Sequence, residues 1–222
     1  MTTWQTSVAE TSLTYSPVGV RLLDELTHDA PLGKTTAYLD IRDASGTWRQ
    51  TDIPAVKTPT SVVSFPGLGR SPEVIFFVPR HYRVRISAEL YVPLYQSSSD
   101  GIEFDAYPYN DNTPLPKNRI VRLPQDLFLT PAPNYPFLGH IPVLRGIVVD
   151  PAAKPVPNAL VTQGVSERVV TDSRGTFALP MRWAPQNTPV PIDAVDNRTG
   201  HMGTITVTLP GDLAMSHTIP IS

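Results

Sequence analysis

One stretch decides the expected fold, and it lies at residues 144–179: LRGIVVDPAAKPVPNALVTQGVSERVVTDSRGTFAL. Short apolar runs alternate in it with clusters of Gly, Pro, Asn and Asp. The apolar run at residues 147–149 stops at a turn, and a second turn at residues 171–175 leads into Phe177. Turn residues at this spacing indicate short β-strands joined by tight turns. We therefore expect this part of the chain to fold as a small β domain.

The same stretch resembles the carboxypeptidase regulatory-like domain, a small transthyretin-like β-sandwich. The resemblance covers residues 144–222 and rests on GIVVD at 146–150, KPVPNA at 154–159 and TDSRGTF at 171–177. Asn158 stands where the family usually has glycine. The resemblance implies an accessory, binding or structural module, because the family mostly supplies such modules. Similar domains occur in phage tails and contractile injection systems.

The overall composition favours an all-β fold with little helix. Proline accounts for 25 of the 222 residues, and it interrupts helix interiors and central strands because it has no backbone N–H. Hydrophobic residues make up 41% of the chain, which is enough for a sizeable core. We therefore expect two tandem β-sandwich domains of transthyretin-like or immunoglobulin-like type.

Charge and cysteine content argue against several classes of function. Lys and Arg number 18 and Asp and Glu 20, giving a formal net charge of −2, whereas nucleic-acid-binding proteins usually carry a basic patch. The absence of cysteine excludes disulfides and thiolate metal sites. No apolar run approaches the roughly 20 residues of a membrane helix. We expect neither a nucleic-acid partner nor a membrane span.

The beginning of the sequence lacks the features of a signal peptide. Residues 1–16 are rich in Thr and Ser and contain no basic region followed by an apolar one. We expect synthesis in the cytoplasm without a signal peptide, with the protein either staying there or becoming part of a released particle. The segment is expected to be either a flexible leader or an arm that docks on another subunit.

The expected domain organisation follows from composition and turn signals. Residues 131–142 hold several prolines, which favour a stiff, extended connector. A divergent second copy of the C-terminal sandwich is expected at about residues 18–95, with an unrelated β-sandwich as the alternative. The expected segments are a leader at 1–16, an N-terminal sandwich at 17–130, a connector at 131–142 and a C-terminal sandwich at 143–222.

One N-terminal segment has the clearest strand pattern in the chain. Residues 82–92 alternate apolar and polar over their whole length, which is typical of a β-strand. The pattern places Tyr82 and Val84 on one face, and Arg83, Arg85 and Tyr91 on the other. We expect one continuous strand here.

The sequence contains no recognisable catalytic constellation, so we expect a protein that is not an enzyme and has no cofactor or metal. The five histidines lie at no metal-ligand spacing, and there is no G-x-S-x-G or phosphate-loop motif. Enzymes related to this sandwich are not indicated, since the C-terminal Tyr-Arg-Gly-Ser of hydroxyisourate hydrolases and the Tyr and His spacing of intradiol dioxygenases are missing. Carboxylates and amides at residues 103–112 leave a calcium site open as a less favoured alternative to a solvated strand face.

Aromatic and apolar residues outside the expected core are the candidates for partner contacts. Trp4, Leu13 and Tyr15 lie in the leader, and Tyr107 and Tyr109 lie in a loop rich in polar residues. Exposed aromatic clusters favour binding surfaces. The expected function is a structural or interaction protein, a subunit of a larger assembly such as a phage-tail-like or contractile injection particle. The alternative is an accessory module that binds carbohydrate or another ligand, for which Trp48 is a second aromatic candidate unless it covers a cross-strand pair.

Overall fold

The computed structural model describes residues 14–74, 78–93, 100–165 and 167–222. In these residues every regular element is a β-strand, apart from two 3-10 helices of three and four residues. The expected all-β fold class is therefore confirmed. None of the helices found there is long and apolar enough to cross a membrane. The strands are β1 (Gly19–Asp24), β2 (Thr35–Arg42), β3 (Trp48–Gln50), β4 (Val56–Lys57), β5 (Val62–Ser64), β6 (Arg80–Ala88), β7 (Tyr91–Pro93), β8 (Ile102–Ala106), β9 (Gln125–Pro131), β10 (Val143–Val149), β11 (Leu160–Gln163), β12 (Glu167–Val170), β13 (Thr176–Pro180), β14 (Pro189–Val195), β15 (Met202–Thr208) and β16 (Ser216–Pro220).

These strands form four sheets. Sheet A has the order β4-β5-β1-β9-β7, and sheet B has the order β3-β2-β6-β8. Sheet C has the order β13-β10-β16, and sheet D has the order β12-β11-β14-β15. In sheet C, Arg145 lies opposite Ala178 of the antiparallel strand β13 and opposite Ser216 of the parallel strand β16. Strand β16 lies at the edge of its sheet, as expected from Pro220, which has no N–H for a further ladder.

The two pairs of sheets share one strand order. Strands β13-β10-β16 of sheet C correspond in chain order to β5-β1-β9 within sheet A. Strands β12-β11-β14-β15 of sheet D correspond in the same way to β3-β2-β6-β8 of sheet B. Strands β4 and β7 are additions at the two ends of sheet A. The chain therefore contains the same strand connectivity twice, once in β1 to β9 and again in β10 to β16.

Sheets C and D enclose a continuous apolar core. Both sheets contribute side chains to it at alternate positions along each strand, which is the pattern of a β-sandwich. Burial of each Val, Leu, Ile, Phe or Met side chain among them contributes roughly 1.5–3 kcal/mol to folding. The core residues are Leu144, Val148, Val156, Ala159, Val161, Val169, Phe177, Leu179, Met181, Val190, Ile192, Ala194, Val207, Leu209, Ile219 and Ile221.

The turn at residues 171–175 shows why the deciding stretch folds as it does. The Asp172 carboxylate accepts backbone N–H bonds from Arg174 (2.8 Å) and Thr176 (3.0 Å), so it closes the turn locally. Gly175 has φ of +69°, and a Cβ there would lie 2.8 Å from the Val148 carbonyl oxygen. Only glycine fits at position 175, which explains why TDSRGTF at 171–177 has glycine there.

The described residues divide into two compact units. Unit 1 comprises the described parts of Met1–Arg21, Ala37–Arg85 and Ser97–Asp126. Unit 2 comprises those of Leu22–Thr36, Ile86–Gln96 and Leu127–Ser222. Each unit is assembled from several separate segments of the chain. The domain boundaries expected from the sequence stay a prediction.

The strand expected at residues 82–92 is interrupted, and the interruption changes the position of Tyr91. Strand β6 ends at Ala88, and a two-residue bend at Glu89 and Leu90 precedes β7. Because the chain passes from sheet B to sheet A at this bend, Tyr91 takes up a new environment and is buried, with 3% of its surface exposed. The expectation of one continuous strand with Tyr91 on its polar face was wrong.

A buried carboxylate connects three segments of unit 2. Asp24 is 1% exposed, and its Oδ2 accepts hydrogen bonds from the hydroxyls of Tyr91 (2.9 Å) and Tyr135 (2.7 Å). Its Oδ1 accepts the backbone N–H of Leu26 at 2.7 Å. The Tyr91 hydroxyl in turn accepts the backbone N–H of Leu32 at 2.9 Å. We call Asp24, Tyr91 and Tyr135 the Asp24 hub.

Burial governs the chemistry of the two tyrosines in the hub. It raises the pKa of Tyr91 to about 12, and the neighbouring Asp24 carboxylate favours the neutral phenol further. Burial also raises the pKa of Tyr135, again with a contribution from Asp24. Both phenols therefore keep their protons at neutral pH and remain hydrogen-bond donors to the carboxylate.

We expect Asp24→Ala to lower the free energy of unfolding by about 3 kcal/mol or more. The substitution leaves two buried hydroxyls without their acceptor, and each unsatisfied group costs about 1–3 kcal/mol. The measurement is urea unfolding of the full chain followed by tryptophan fluorescence. Asp29→Ala is the matched control, because the exposed Asp29 side chain should change stability by less than about 0.5 kcal/mol. Equal effects of the two substitutions would contradict the role of the hub.

Candidate functional site

The contact residues predicted from the sequence lie in different environments in the structure. Trp4 and Leu13 lie outside the described residues. Tyr109 is fully buried, with 0% of its surface exposed, so the expectation that it forms part of an exposed contact loop was wrong. Its hydroxyl accepts the backbone N–H of Tyr15 at 3.0 Å, and the two rings pack edge to face at 5.0 Å. Tyr15 is half-buried by this contact within its own chain.

Tyr107 keeps part of its surface in solvent. The Arg119 guanidinium lies 4.3 Å from the centre of its ring, which is the geometry of a cation–π contact. The structure therefore separates the two loop tyrosines, because Tyr109 packs inside unit 1 while Tyr107 is half-buried under an arginine. A partner contact at Tyr107 stays a prediction.

The outer face of sheet B carries a set of stacked aromatic and cationic side chains in unit 1. The Trp48 ring lies 5.5 Å from the His81 ring, and the Arg83 guanidinium lies 4.7 Å from the centre of Trp48. Further along the same strand, β6, Arg85 lies 5.6 Å from the ring of Tyr38 on β2. These aromatic rings are thus in contact with planar side chains of their own sheet.

A buried aspartate holds the arginines of this face in place. Asp40 is 2% exposed and accepts bonds from Arg83 Nη2 (2.8 Å), Arg85 Nε (2.6 Å) and Arg85 Nη2 (2.9 Å). Hydrogen bonds and charge from these two guanidinium groups outweigh the effect of burial and lower the pKa of Asp40. The ion pairs therefore fix the arginines against the aromatic rings.

His81 lies between two carboxylates on the same face. Its Nδ1 is 2.9 Å from Asp105 Oδ1, and its Nε2 is 3.0 Å from Glu103 Oε2. Both ring nitrogens must donate to satisfy both carboxylates, which is possible only for the imidazolium. Hydrogen bonds to Asp105 and then Glu103 raise the pKa of His81. The described residues contain no group of three or more ligand side chains placed to hold a metal ion.

We expect the stability of the protein to fall as the pH rises through the raised pKa of His81. Because the folded pKa lies above the ordinary value of about 6.5, the stabilising charge is fully present below pH 6.5 and is lost at higher pH. In His81→Gln the unfolding midpoint in urea should change less over this window. His201→Gln, at an exposed position, is the control and should keep the wild-type profile. An NMR titration that placed the pKa of His81 at or below 6.5 would contradict this prediction.

Unit 2 carries an apolar groove that we call the Trp183 groove. Its volume is about 540 Å³. Three large apolar side chains of its lining are exposed: Trp183 by 71%, Leu138 by 62% and Leu32 by 48%. Aliphatic, proline and aromatic side chains complete the apolar part of the lining, namely Leu26, Tyr135, Pro136, Ile141 and Pro142.

The elements around the groove are held by polar contacts at its base. Tyr135 belongs to the Asp24 hub, and the backbone N–H groups of Leu26 and Leu32 bond to that hub. Arg182, which precedes Trp183, forms a bidentate pair with the buried Glu167, with distances of 2.7 and 2.9 Å. The groove therefore presents its apolar side chains from backbone segments that are fixed before any partner binds.

The electrostatic character of the groove is simple. Arg182, His140 and Tyr135 are the ionisable side chains of its lining, and no carboxylate lines it. The groove can bind apolar side chains by the hydrophobic effect, which is worth roughly 25 cal/mol per Å² of buried apolar surface. A carboxylate carried by the partner would meet no like charge in the lining. A clustered apolar surface of this kind marks an interaction site.

Sequence reasoning did not find the Trp183 groove. The prolines of residues 131–142 predict a connector, and no sequence motif singles out Trp183. The lining residues come from three stretches, of which the first, with Leu32, lies more than a hundred positions from the second, with Leu138. No periodicity or motif joins these stretches, so the signal appears only after the chain has folded.

Comparison with known proteins does not assign a family. No protein-family model matches the chain, and no curated protein matches it. Among solved structures, the chain is similar to the Bacillus anthracis TIE protein, with 12% identity and a TM-score of 0.32 over 95% of this chain and 34% of that one. It is also similar to BcpA, the major pilin subunit of Bacillus cereus, with 9% identity and a TM-score of 0.30 over 94% of this chain and 69% of that one. The chain thus spans about a third of the length of the first structure, and similarity at this level carries no functional argument.

Proposed function

We propose that this chain is a non-enzymatic structural or interaction protein that works as a subunit of a larger assembly. The observation that carries the proposal is the Trp183 groove, where Trp183, Leu138 and Leu32 are exposed side by side. Contact of clustered, large apolar side chains with water is unfavourable. A partner subunit that covered them would remove this contact and lower the free energy. Tryptophan is also enriched among the residues that contribute most to binding.

The ionisable side chains of the described residues support a structural role. The most buried ones are engaged in ion pairs or hydrogen bonds: Asp40 with two arginines, Glu167 with Arg182, and Asp24 with two tyrosines. Such pairing fixes strands and loops in position. A catalytic role would require acids or bases that converge on a space open to a substrate, and these three carboxylates point instead at their structural partners.

A carbohydrate-binding module is the second candidate, and the outer face of sheet B is its best location. Trp48 and Tyr38 are half-buried there, beside polar side chains. However, Arg83 stacks on Trp48 and is itself held by the buried Asp40. A sugar ring would have to displace this guanidinium in order to stack on that side of the indole. This arrangement favours the assembly role over carbohydrate binding.

We propose the type of assembly from the resemblance to the carboxypeptidase regulatory-like domain. We infer from the shared strand order that the chain is a divergent internal repeat of one sandwich of the carboxypeptidase regulatory-like type, with β1 to β9 as the first copy and β10 to β16 as the second. Because similar domains occur in phage tails and contractile injection systems, we propose a particle of that kind as the assembly. The partners are then other protein subunits.

The proposal predicts that the protein is found in a large particle in the cells that make it. A tagged full chain should elute from size-exclusion chromatography with light scattering at many times its own 24.3 kDa. Trp183→Ser should lower the incorporated fraction by about tenfold or more, because a tryptophan at the centre of an interface contributes about 2 kcal/mol or more.

The control for this experiment is Met202→Ser. Met202 is 63% exposed in unit 2 but does not line the groove, so its substitution should leave incorporation unchanged. Elution of the wild-type chain as a monomer of 24.3 kDa would contradict the assembly role. Incorporation that is insensitive to Trp183→Ser would show that another surface makes the contacts.

A further inference from the structure

We propose that the Trp183 groove binds residues 1–13 of a second copy of the same chain. This inference rests on the proposed function and names the partner of its binding surface. It joins one copy to the next through two different surfaces, an N-terminal arm on one and an apolar groove on the other. Such a heterologous contact can be repeated from copy to copy, so that it builds rings or filaments.

The structure fixes the point at which this arm leaves the fold. Tyr15 is anchored in unit 1, since its N–H bonds to the Tyr109 hydroxyl and its carbonyl accepts the Gly67 N–H at 2.8 Å. The Ser16 hydroxyl accepts the Phe65 N–H at 3.0 Å. Thirteen residues precede this region outside the described structure, and such a length of chain spans at most about 45 Å. The arm is thus long enough to reach a neighbouring molecule from a fixed base.

The chemistry of the arm complements that of the groove. Residues 1–13 read MTTWQTSVAETSL, in which Trp4, Val8 and Leu13 are large apolar side chains. Glu10 is the one charged side chain of the segment. The groove offers apolar surface, no carboxylate lines it, and its arginine, Arg182, already pairs with the buried Glu167. The apolar side chains of the segment therefore match the lining in polarity, and its single carboxylate meets no carboxylate there.

The size of the groove also suits a short peptide segment. Its volume of about 540 Å³ falls within the range of about 300–1,000 Å³ that is typical of ligand pockets. Its backbone is held by the Asp24 hub and by the pair of Arg182 with Glu167, so little ordering is needed on the groove side. Prior fixation of one partner lowers the entropic cost of binding a segment of the other.

The test uses the purified full chain and four single variants. Trp4→Ser removes the main apolar side chain of the arm, and Trp183→Ser removes that of the groove. Thr6→Ala in the arm and Met202→Ser on the surface of unit 2 are the matched controls. Light scattering is measured from about 1 μM to about 1 mM, a range that brackets the dissociation constants of small apolar interfaces.

We expect the wild-type chain and both controls to self-associate as the concentration rises. Trp4→Ser and Trp183→Ser should each remain monomeric at concentrations at least tenfold higher. An equimolar mixture of these two variants should form a one-to-one complex, because one retains an intact groove and the other an intact arm. Trp183→Ser is not expected to unfold the protein, since Trp183 is 71% exposed. Leu138→Ser, at a second exposed position of the groove, should repeat the effect of Trp183→Ser.

Three results would overturn the inference. They are a wild-type chain that stays monomeric over the whole range, a self-association that Trp4→Ser does not weaken, and a mixture of the two variants that stays monomeric. Each of these results leaves the proposed function standing if the chain still elutes in a large particle from its own cells and Trp183→Ser still removes it from that particle. In that case a different subunit occupies the groove.

Discussion

The hydrogen bonds that Asp24 accepts from Tyr91 and Tyr135 join three segments of unit 2 around one buried carboxylate. A carboxylate that is 1% exposed is tolerated only if donors replace the water that it has lost. Here two hydroxyls and the backbone N–H of Leu26 supply those donors. The three side chains come from separate segments of the chain, so the buried charge is satisfied only when these segments have come together. The same requirement positions the groove, because Tyr135 and Leu26 belong both to its lining and to these contacts.

Polar contacts thus support an apolar surface, and this combination suits a binding site better than a folding core. A core would bury Trp183 and Leu138, whereas both remain more than half exposed. The backbone segments that carry them are nevertheless held in place by two sets of polar contacts. These are the Asp24 hub and the buried pair of Glu167 with Arg182. Exposed apolar side chains on a fixed base lose little entropy on binding. The proposed partner contacts follow from this arrangement of the groove.

The sequence was sufficient for the fold class and insufficient for the site. Local chemistry decides the turn at residues 171–175, where Asp172 and Gly175 act through neighbours only a few positions away. Alternation alone could not place Tyr91, because the chain passes from sheet B to sheet A at the two-residue bend before it. Tyr109 was misjudged for a related reason, since loop residues become buried when another segment, here the one carrying Tyr15, packs on them. These outcomes depend on contacts between distant segments, which periodicity does not report.

The two tryptophans of the described residues show what separates a structural aromatic side chain from a candidate for binding. Trp48 stacks on His81 and lies under Arg83, and Asp40 fixes that arginine, so the ring already has partners within its own sheet. Trp183 is 71% exposed and lies beside other exposed apolar side chains. From the sequence alone, Trp48 and Trp183 are equivalent, because both are simply tryptophans. The difference arises because cross-strand pairing in sheet B satisfies one ring, whereas the loop after β13 presents the other beside a groove that a further chain can fill.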